Sequence, residues 1–171
     1  MTKEDMADEL LDIVNDNDEV TGQAMRSVVH QRGLLHRGAH VFLFNEQGDL
    51  LIHKRSADRA NSPSLWDCSV SEHVKAGESY HEAAIRGMRE ELGLEAGHIT
   101  YQVKFQMEYG PNDFEISEIY EGKVDPGLVK FDPEEIAEIR FVNVKDLKAE
   151  IAQHEEQFCS WFVKIMRWYR A

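Results

Sequence analysis

The sequence is short of cysteine, of positive charge and of long apolar runs, and each shortage excludes something. Its two cysteines, Cys68 and Cys159, form no spaced metal-ligand pattern and are too few for a secreted disulfide framework. They read as two reduced thiols of a cytoplasmic protein. No stretch approaches the roughly 18 apolar residues of a membrane span, and residues 1–9 are acidic, with no basic patch leading into an apolar run. Lys and Arg number 19 against 32 Asp and Glu, a formal net charge of −13. Such a surface repels phosphate backbones and excludes a nucleic-acid partner held by Lys and Arg, whereas a small anion is within reach through a bound cation. Repeats, low-complexity segments and inter-domain linkers are also missing, so residues 1–171 read as one domain, long enough to bury a core without disulfides or a structural metal.

What is present alternates strand and helix signals. Leu10 to Val14 and the run resuming at Glu19, separated by Asn15-Asp16-Asn17-Asp18, predict a hairpin. Gln23 to Gln31 predicts a short helix carrying Arg26 and His30 on one face, stopped by Gly33. Residues 39–45 and 49–54 predict strands flanking a Glu-Gln-Gly turn, and residues 55–63 a polar loop. The segment 79–92 predicts a helix with Ser79 as N-cap, Glu82 as its capping-box partner and Gly93 past its end. Residues 99–108 and 115–124 predict an antiparallel pair around a turn at 110–113. A strand at 139–144 and helices at 144–153 and 158–169 complete a mixed sheet with helices on its faces.

Chemistry concentrates in Ser71 to Leu94, SEHVKAGESYHEAAIRGMREELGL. On its helix Gly87, Glu90 and Glu91 share a face, while Ala84, Met88 and Leu92 make the core stripe. Adjacent carboxylates repel one another, and a divalent cation offsets that cost most simply; oxygen ligands suit Mg²⁺ or Mn²⁺. The bland alternative is a solvated acidic helix in a glutamate-rich chain.

The spacing resembles the Nudix motif: Gly, five residues, Glu, seven residues, then Arg-Glu-apolar-any-Glu-Glu-any-Gly-apolar. Glu78, Arg86, Met88, Glu90, Glu91, Gly93 and Leu94 match in register, seven of nine defined positions. The resemblance implies an α/β fold, a Nudix-type α/β/α sandwich with a mixed central sheet. It further implies that Glu90 and Glu91 bind Mg²⁺ or Mn²⁺ against a diphosphate, that Arg86 orients them, and that Glu78 supports the metal or its waters. Two positions depart: Glu72 replaces the first glycine, and Gly87 replaces the glutamate after the arginine. Close helix packing is one explanation of Gly87, and Glu72 or Glu118 is a candidate for the missing carboxylate.

From Leu11 to about Trp161 the chain also resembles the Nudix branch of type I isopentenyl-diphosphate isomerases. That resemblance implies metal binding by His30, His36 and His73, with Zn²⁺ added to the candidate ions. It implies diphosphate binding by Arg26, Arg55 and Arg59, a catalytic Glu118, and a Trp161-containing segment against the substrate. Where the isomerase has a cysteine, this chain has Ser71, with Cys68 three residues away and, in an extended segment, expected on the opposite side. Nudix hydrolases of the same branch share much of this pattern. The leading expectation is therefore a metal-dependent hydrolase of a small diphosphate, with Glu91, Glu118, Glu72 and Arg86 in catalytic roles. An isopentenyl-diphosphate isomerase is the alternative, and a degenerate diphosphate-binding protein the third reading.

Overall fold

The computed structural model describes residues 8–95 and 97–170, so most of the acidic start read above lies outside the described residues. Leu10–Val14 (β1) and Val20–Met25 (β2) form the expected antiparallel hairpin. Its turn is organised by the Asn15 side chain, which accepts from the backbone N–H of Asn17 at 2.9 Å and of Glu19 at 3.0 Å. The helix expected from Gln23 begins instead at Arg26 and runs to Arg32 (α1), ending at Gly33 with φ 65°. Gln23, Ala24 and Met25 belong to β2, paired with Asp12, Leu11 and Leu10. Ladder bonds there outweigh local helix propensity, which is a weak prior.

The main sheet contains seven strands. They are His36–Phe44 (β3), Leu50–Arg55 (β4), Trp66–Asp67 (β5), Val70–His73 (β6), Ile99–Gly110 (β7), Asp113–Lys123 (β8) and Ile136–Val142 (β9). Their order is β5-β4-β3-β8-β7, with β6 also on β3 and β9 also on β4. The β3/β8 pair is parallel and the remaining pairs are antiparallel, so the sheet is mixed as expected. The turn between β7 and β8 is tighter than 110–113, because Gly110 and Asp113 already pair across it.

Helices Tyr80–Leu92 (α2), Val144–Gln153 (α3) and Ser160–Trp168 (α4) complete an α/β/α sandwich. Strand alternation divides the core in two. Val41, Leu43, Leu51 and Val70 pack with Ala83, Ala84, Met88 and Leu92 of α2. Phe42, Phe44, Leu50 and Ile52 point the other way, against Leu147 and Ile151 of α3 and Phe162, Val163 and Ile165 of α4. Ser79 caps α2 by accepting from Glu82 N–H at 3.1 Å, and Gly93 ends it with φ 64°.

Gly87 is explained by contact. A Cβ there would lie 2.5 Å from Glu72 Cγ and 2.6 Å from Val70 Cγ1, so α2 sits on β6 as closely as a bare Cα allows. No glutamate fits at this position, and Glu72 fills the space from the facing strand. Gly87→Ala is expected to lose about 1–3 kcal/mol of unfolding free energy through overpacking, against the gain of about 1 kcal/mol that alanine brings to an open helix site. Urea unfolding checks this; a more stable variant would show that the contact yields freely.

Candidate active site

Strand parity assembles the site on the α3/α4 side of the sheet. His36 and His40 on β3 share a face with Phe42, and on β6 Ser71 and His73 alternate with Val70 and Glu72, which face α2. Register sets His36 beside Glu115 and His40 beside Ser71. On β8 the same alternation puts Asp113, Glu115 and Ser117 with Ile119 on this face. Gly38 is required for this arrangement, because a Cβ there would collide with the Glu115 carboxyl group.

His30, delivered by α1, meets His36 and His73 with ring centroids 5.3 Å apart in each pair. One ligand atom from each lies within 4.8 Å of the others. His36 is fully buried; its Nδ1 donates to Leu34 O at 3.0 Å, which leaves the Nε2 lone pair directed at the group without a hydrogen-bond partner. A backbone carbonyl fixing one ring nitrogen so that the other is free is the usual support of a histidine ligand. Burial and the neighbouring His36 and Arg26 charges push His30 down to about 4, and the same causes hold His73 well below the ordinary imidazole range. Both rings are neutral at pH 7, with lone pairs available. The three histidines form a site capable of coordinating a divalent metal, and their nitrogen donors suit Zn²⁺ or Mn²⁺. Asp113 Oδ1 and Glu115 Oε1 stand 3.7 and 3.8 Å from His36 Nε2.

A hydrogen-bonded chain crosses the floor below. Tyr109 OH meets Ser117 Oγ at 2.7 Å, and Ser117 donates to Glu115. Glu115 Oε2 lies 2.9 Å from His40 Nε2, whose Nδ1 lies 2.9 Å from Ser71 Oγ. Ser71 then donates to Asp67 Oδ1 at 3.1 Å, which also accepts from Trp161 Nε1 at 2.9 Å. Burial disfavours both charges of the central pair, yet the Glu115 charge and hydrogen bond raise His40, and His40 in turn lowers Glu115. Burial beside Glu115 lifts Asp113 to about 6. Cys68 is not remote, as the strand parity had implied. The chain bends at Ser69 between β5 and β6, which brings Cys68 Sγ within 3.3 Å of Ser71 Oγ, although burial pushes this thiol's pKa well up.

Above this floor opens a cleft of about 270 Å³ lined by Arg26, Arg55, Arg59 and Trp161 together with His30, His40, Ser71, His73, Tyr109, Asp113 and Glu115. The Arg55 guanidinium lies 5.5 Å from the Trp161 ring centroid. Three arginines around a concave site attract an anion despite the protein's negative total.

The motif helix lies behind β6. Arg86 donates to Glu78 twice, at 2.9 and 3.0 Å, and to Glu72 at 3.0 Å, Glu90 at 3.3 Å and the His73 carbonyl at 2.9 Å. Burial works against the Glu78 charge, but the Arg86 bonds more than offset it and hold this carboxyl below its usual range. Glu91 is buried, at 2% exposure, while the Glu90 side chain is 48% exposed.

The structure thus gathers Arg26, His30, Arg55, Arg59, His73 and Trp161 around the cleft, with His36 beneath it, while Glu72 borders the cleft but turns its carboxyl group to Arg86 on the α2 side. Glu118 falls on the opposite face of β8, between Ile116 and Tyr120 of the α2-side core, where it accepts from Tyr120 OH at 2.8 Å and lies 3.6 Å from Lys104 Nζ. The carboxylates that reach the cleft from β8 are Asp113 and Glu115, which sequence reasoning missed together with His40, Asp67 and Tyr109. The tight hairpin starts β8 at Asp113, and alternation from there brings Asp113, Glu115 and Ser117 to the site.

Comparison with known proteins agrees with this architecture. Residues 34–162 match the model of the NUDIX domain, and the chain belongs to that family. It is a Nudix-type enzyme with a sequence relationship to isomerase-like members. It is 34% identical over 165 residues to an isopentenyl-diphosphate delta-isomerase of Serratia proteamaculans, covering 94% of this chain and 90% of that protein. A protein of Streptomyces coelicolor described as an uncharacterized Nudix hydrolase is 37% identical over 150 residues, covering 87% and 82%. A Deinococcus radiodurans protein of known crystal structure superposes with TM-score 0.81 at 32% identity, covering 93% of this chain and 98% of that one. Among the described residues no helix is long and apolar enough to cross a membrane.

The depressed His30 gives a pH signature. The unfolded chain takes up this proton near 6.5 and the folded one only near 4, so stability contributed by the neutral ring is present above pH 6.5 and lost as pH falls toward 4. In chelator-treated protein, the melting temperature of the wild type should fall relative to His30→Gln across that window. A constant difference from pH 7 to 4 contradicts the assignment.

Proposed function

We propose that this protein performs metal-assisted chemistry on the diphosphate of a small organic molecule, and that its reaction is the isomerisation of isopentenyl diphosphate. The observation carrying this reading is that three histidines converge beside Asp113 and Glu115 in an arginine-lined cleft, whereas Glu78 and Glu90 of the motif are engaged by Arg86. The relatives named for that isomerase, at 34% identity over most of both chains, support it.

In this reading His30, His36 and His73 hold a divalent cation, which when bound neutralises diphosphate oxygens. Arg26, Arg55 and Arg59 fix the anionic end of the substrate, leaving its alkene toward the cleft floor. Isomerisation needs one proton delivered and another removed. Asp113, with its pKa lifted to about 6, is poised to carry a proton near neutral pH, and Glu115, held as a carboxylate, is poised to receive one. Trp161, anchored through Nε1 to Asp67, offers an aromatic surface where positive charge develops on carbon. Hydrolysis of a diphosphate linkage is the second reading, favoured by Ser71 at the position where the isomerase resemblance expects a thiol.

Proton NMR in D₂O separates the two. With Mg²⁺, Mn²⁺ or Zn²⁺ present, deuterium should enter isopentenyl diphosphate without phosphate release. His36→Ala should reduce the rate at least 100-fold, because removing this ligand disables the site. Phosphate or phosphomonoester released from a panel of diphosphates, with no exchange, would replace isomerisation by hydrolysis. A raised melting temperature with ligand and no turnover of any kind would leave only a binding protein.

A further inference from the structure

His53 and Asp67 are cross-strand partners on β4 and β5, and both are fully buried. His53 Nδ1 donates to the Ser69 carbonyl at 3.2 Å, and burial holds the imidazole below its usual range, so Nε2 carries a lone pair and no proton. That atom faces Asp67 Oδ2 at 4.0 Å, and neither has a hydrogen-bond partner among the described residues. Two acceptors face to face in a dry interior cost stability. The other carboxylate oxygen is crowded with donors: Oδ1 accepts from Cys68 N–H at 2.7 Å, Trp161 Nε1 at 2.9 Å and Ser71 Oγ at 3.1 Å. Asparagine would keep those three bonds and turn an Nδ2–H toward the histidine lone pair. Stability therefore does not explain an acid at position 67. A buried misfit that one isosteric exchange would remove points to a use for the charge.

That use lies along the bond to Trp161. An indole N–H that donates to an anion gains electron density in its ring, and the ring face becomes more negative. Over this ring stands the Arg55 guanidinium, 5.5 Å from the centroid, with its Nε donating to the Asn61 carbonyl at 3.1 Å. Stacking engages the flat face of the guanidinium and leaves in-plane N–H groups for phosphate oxygens. We propose that Asp67 is a positioning residue, which through Trp161 holds Arg55 ready for the anionic end of the substrate. An arginine already fixed at 6% exposure loses little side-chain freedom when phosphate arrives, so the charge on Asp67 is expressed as affinity rather than as stability. The inference rests on the reading of the cleft arginines as the diphosphate site, and not on which reaction follows binding.

The test uses the intact protein, with inorganic pyrophosphate and Mg²⁺ as the probe in calorimetry. Asp67→Asn should weaken pyrophosphate binding about 3- to 10-fold, the range of a desolvated cation–π contact, while melting at or above the wild-type temperature. In a Trp161→Leu background the same exchange should change affinity by less than about 2-fold, because the path to Arg55 is gone. Proton NMR gives a second readout: the indole N–H signal that Trp161→Leu removes should move upfield in Asp67→Asn, as a charged acceptor becomes neutral. Equal affinity in Asp67→Asn and wild type would overturn the proposal. So would an undiminished effect without the indole, which would make the charge act on Arg55 directly, or a variant melting well below wild type, which would make the acid a structural requirement. Wild-type protein that binds no pyrophosphate would instead remove the diphosphate reading, and this inference with it.

Discussion

Glu115 is a carboxylate with only 6% of its surface in water, and the geometry of the cleft follows from what its burial demands. Removing an ionised carboxyl from solvent costs several kcal/mol unless charge and hydrogen bonds replace the water. His40 and Ser117 supply them on one oxygen, His36 faces the other, and Gly38 leaves the room that any side chain would occupy. Each partner is itself committed onward: His40 to Ser71, Ser117 to Tyr109, His36 to the Leu34 carbonyl. The polar floor is therefore one connected network, so displacing any member leaves a buried group unsatisfied.

The sheet separates two kinds of chemistry that the sequence presents as one motif. On the α2 side Arg86 holds Glu72, Glu78 and Glu90 and reaches the His73 carbonyl. Its first effect is mechanical, because it fixes the backbone of β6 from behind and so sets where Ser71 and His73 project on the other face. The two departures from the motif prove to be parts of one contact. Glu72 places its Cγ where a residue 87 side chain would begin, so the space a helix glutamate would use is filled from the strand that the helix covers.

Much of the fold was legible because its signals are local. Ser79 and Gly93 mark the ends of α2, and the unbroken apolar run from Val41 to Phe44 marks a strand buried on both faces. Three of the cleft histidines and its arginines were legible only through family resemblance, since a lone histidine says little. What failed was parity across distance. Glu118 was named by family resemblance alone, and the parity of β8 places it on the α2 face with Ile116 and Tyr120, leaving Glu115 on the cleft face with Ile119. Cys68 escaped for the same reason, since a bend at Ser69 resets the alternation. His40 was invisible because its role exists only in the pairing of β3 with both β6 and β8.

A chain of net charge −13 that binds a diphosphate has to reverse its own field locally. Arg26, Arg55 and Arg59 begin that reversal, and they also keep the histidines ready, since Arg26 is among the charges that hold His30 and His73 unprotonated. Neutral imidazoles accept a cation without first releasing protons, which removes the usual competition between acid and metal near pH 7. The same arginine that repels protons also repels a bare divalent ion. The site is therefore best satisfied when cation and anion arrive together, the phosphate oxygens screening the metal from the guanidinium and the metal completing the neutralisation that the arginines start. Metal affinity and diphosphate affinity are on this account a single linked quantity, each raised by the other to the same degree.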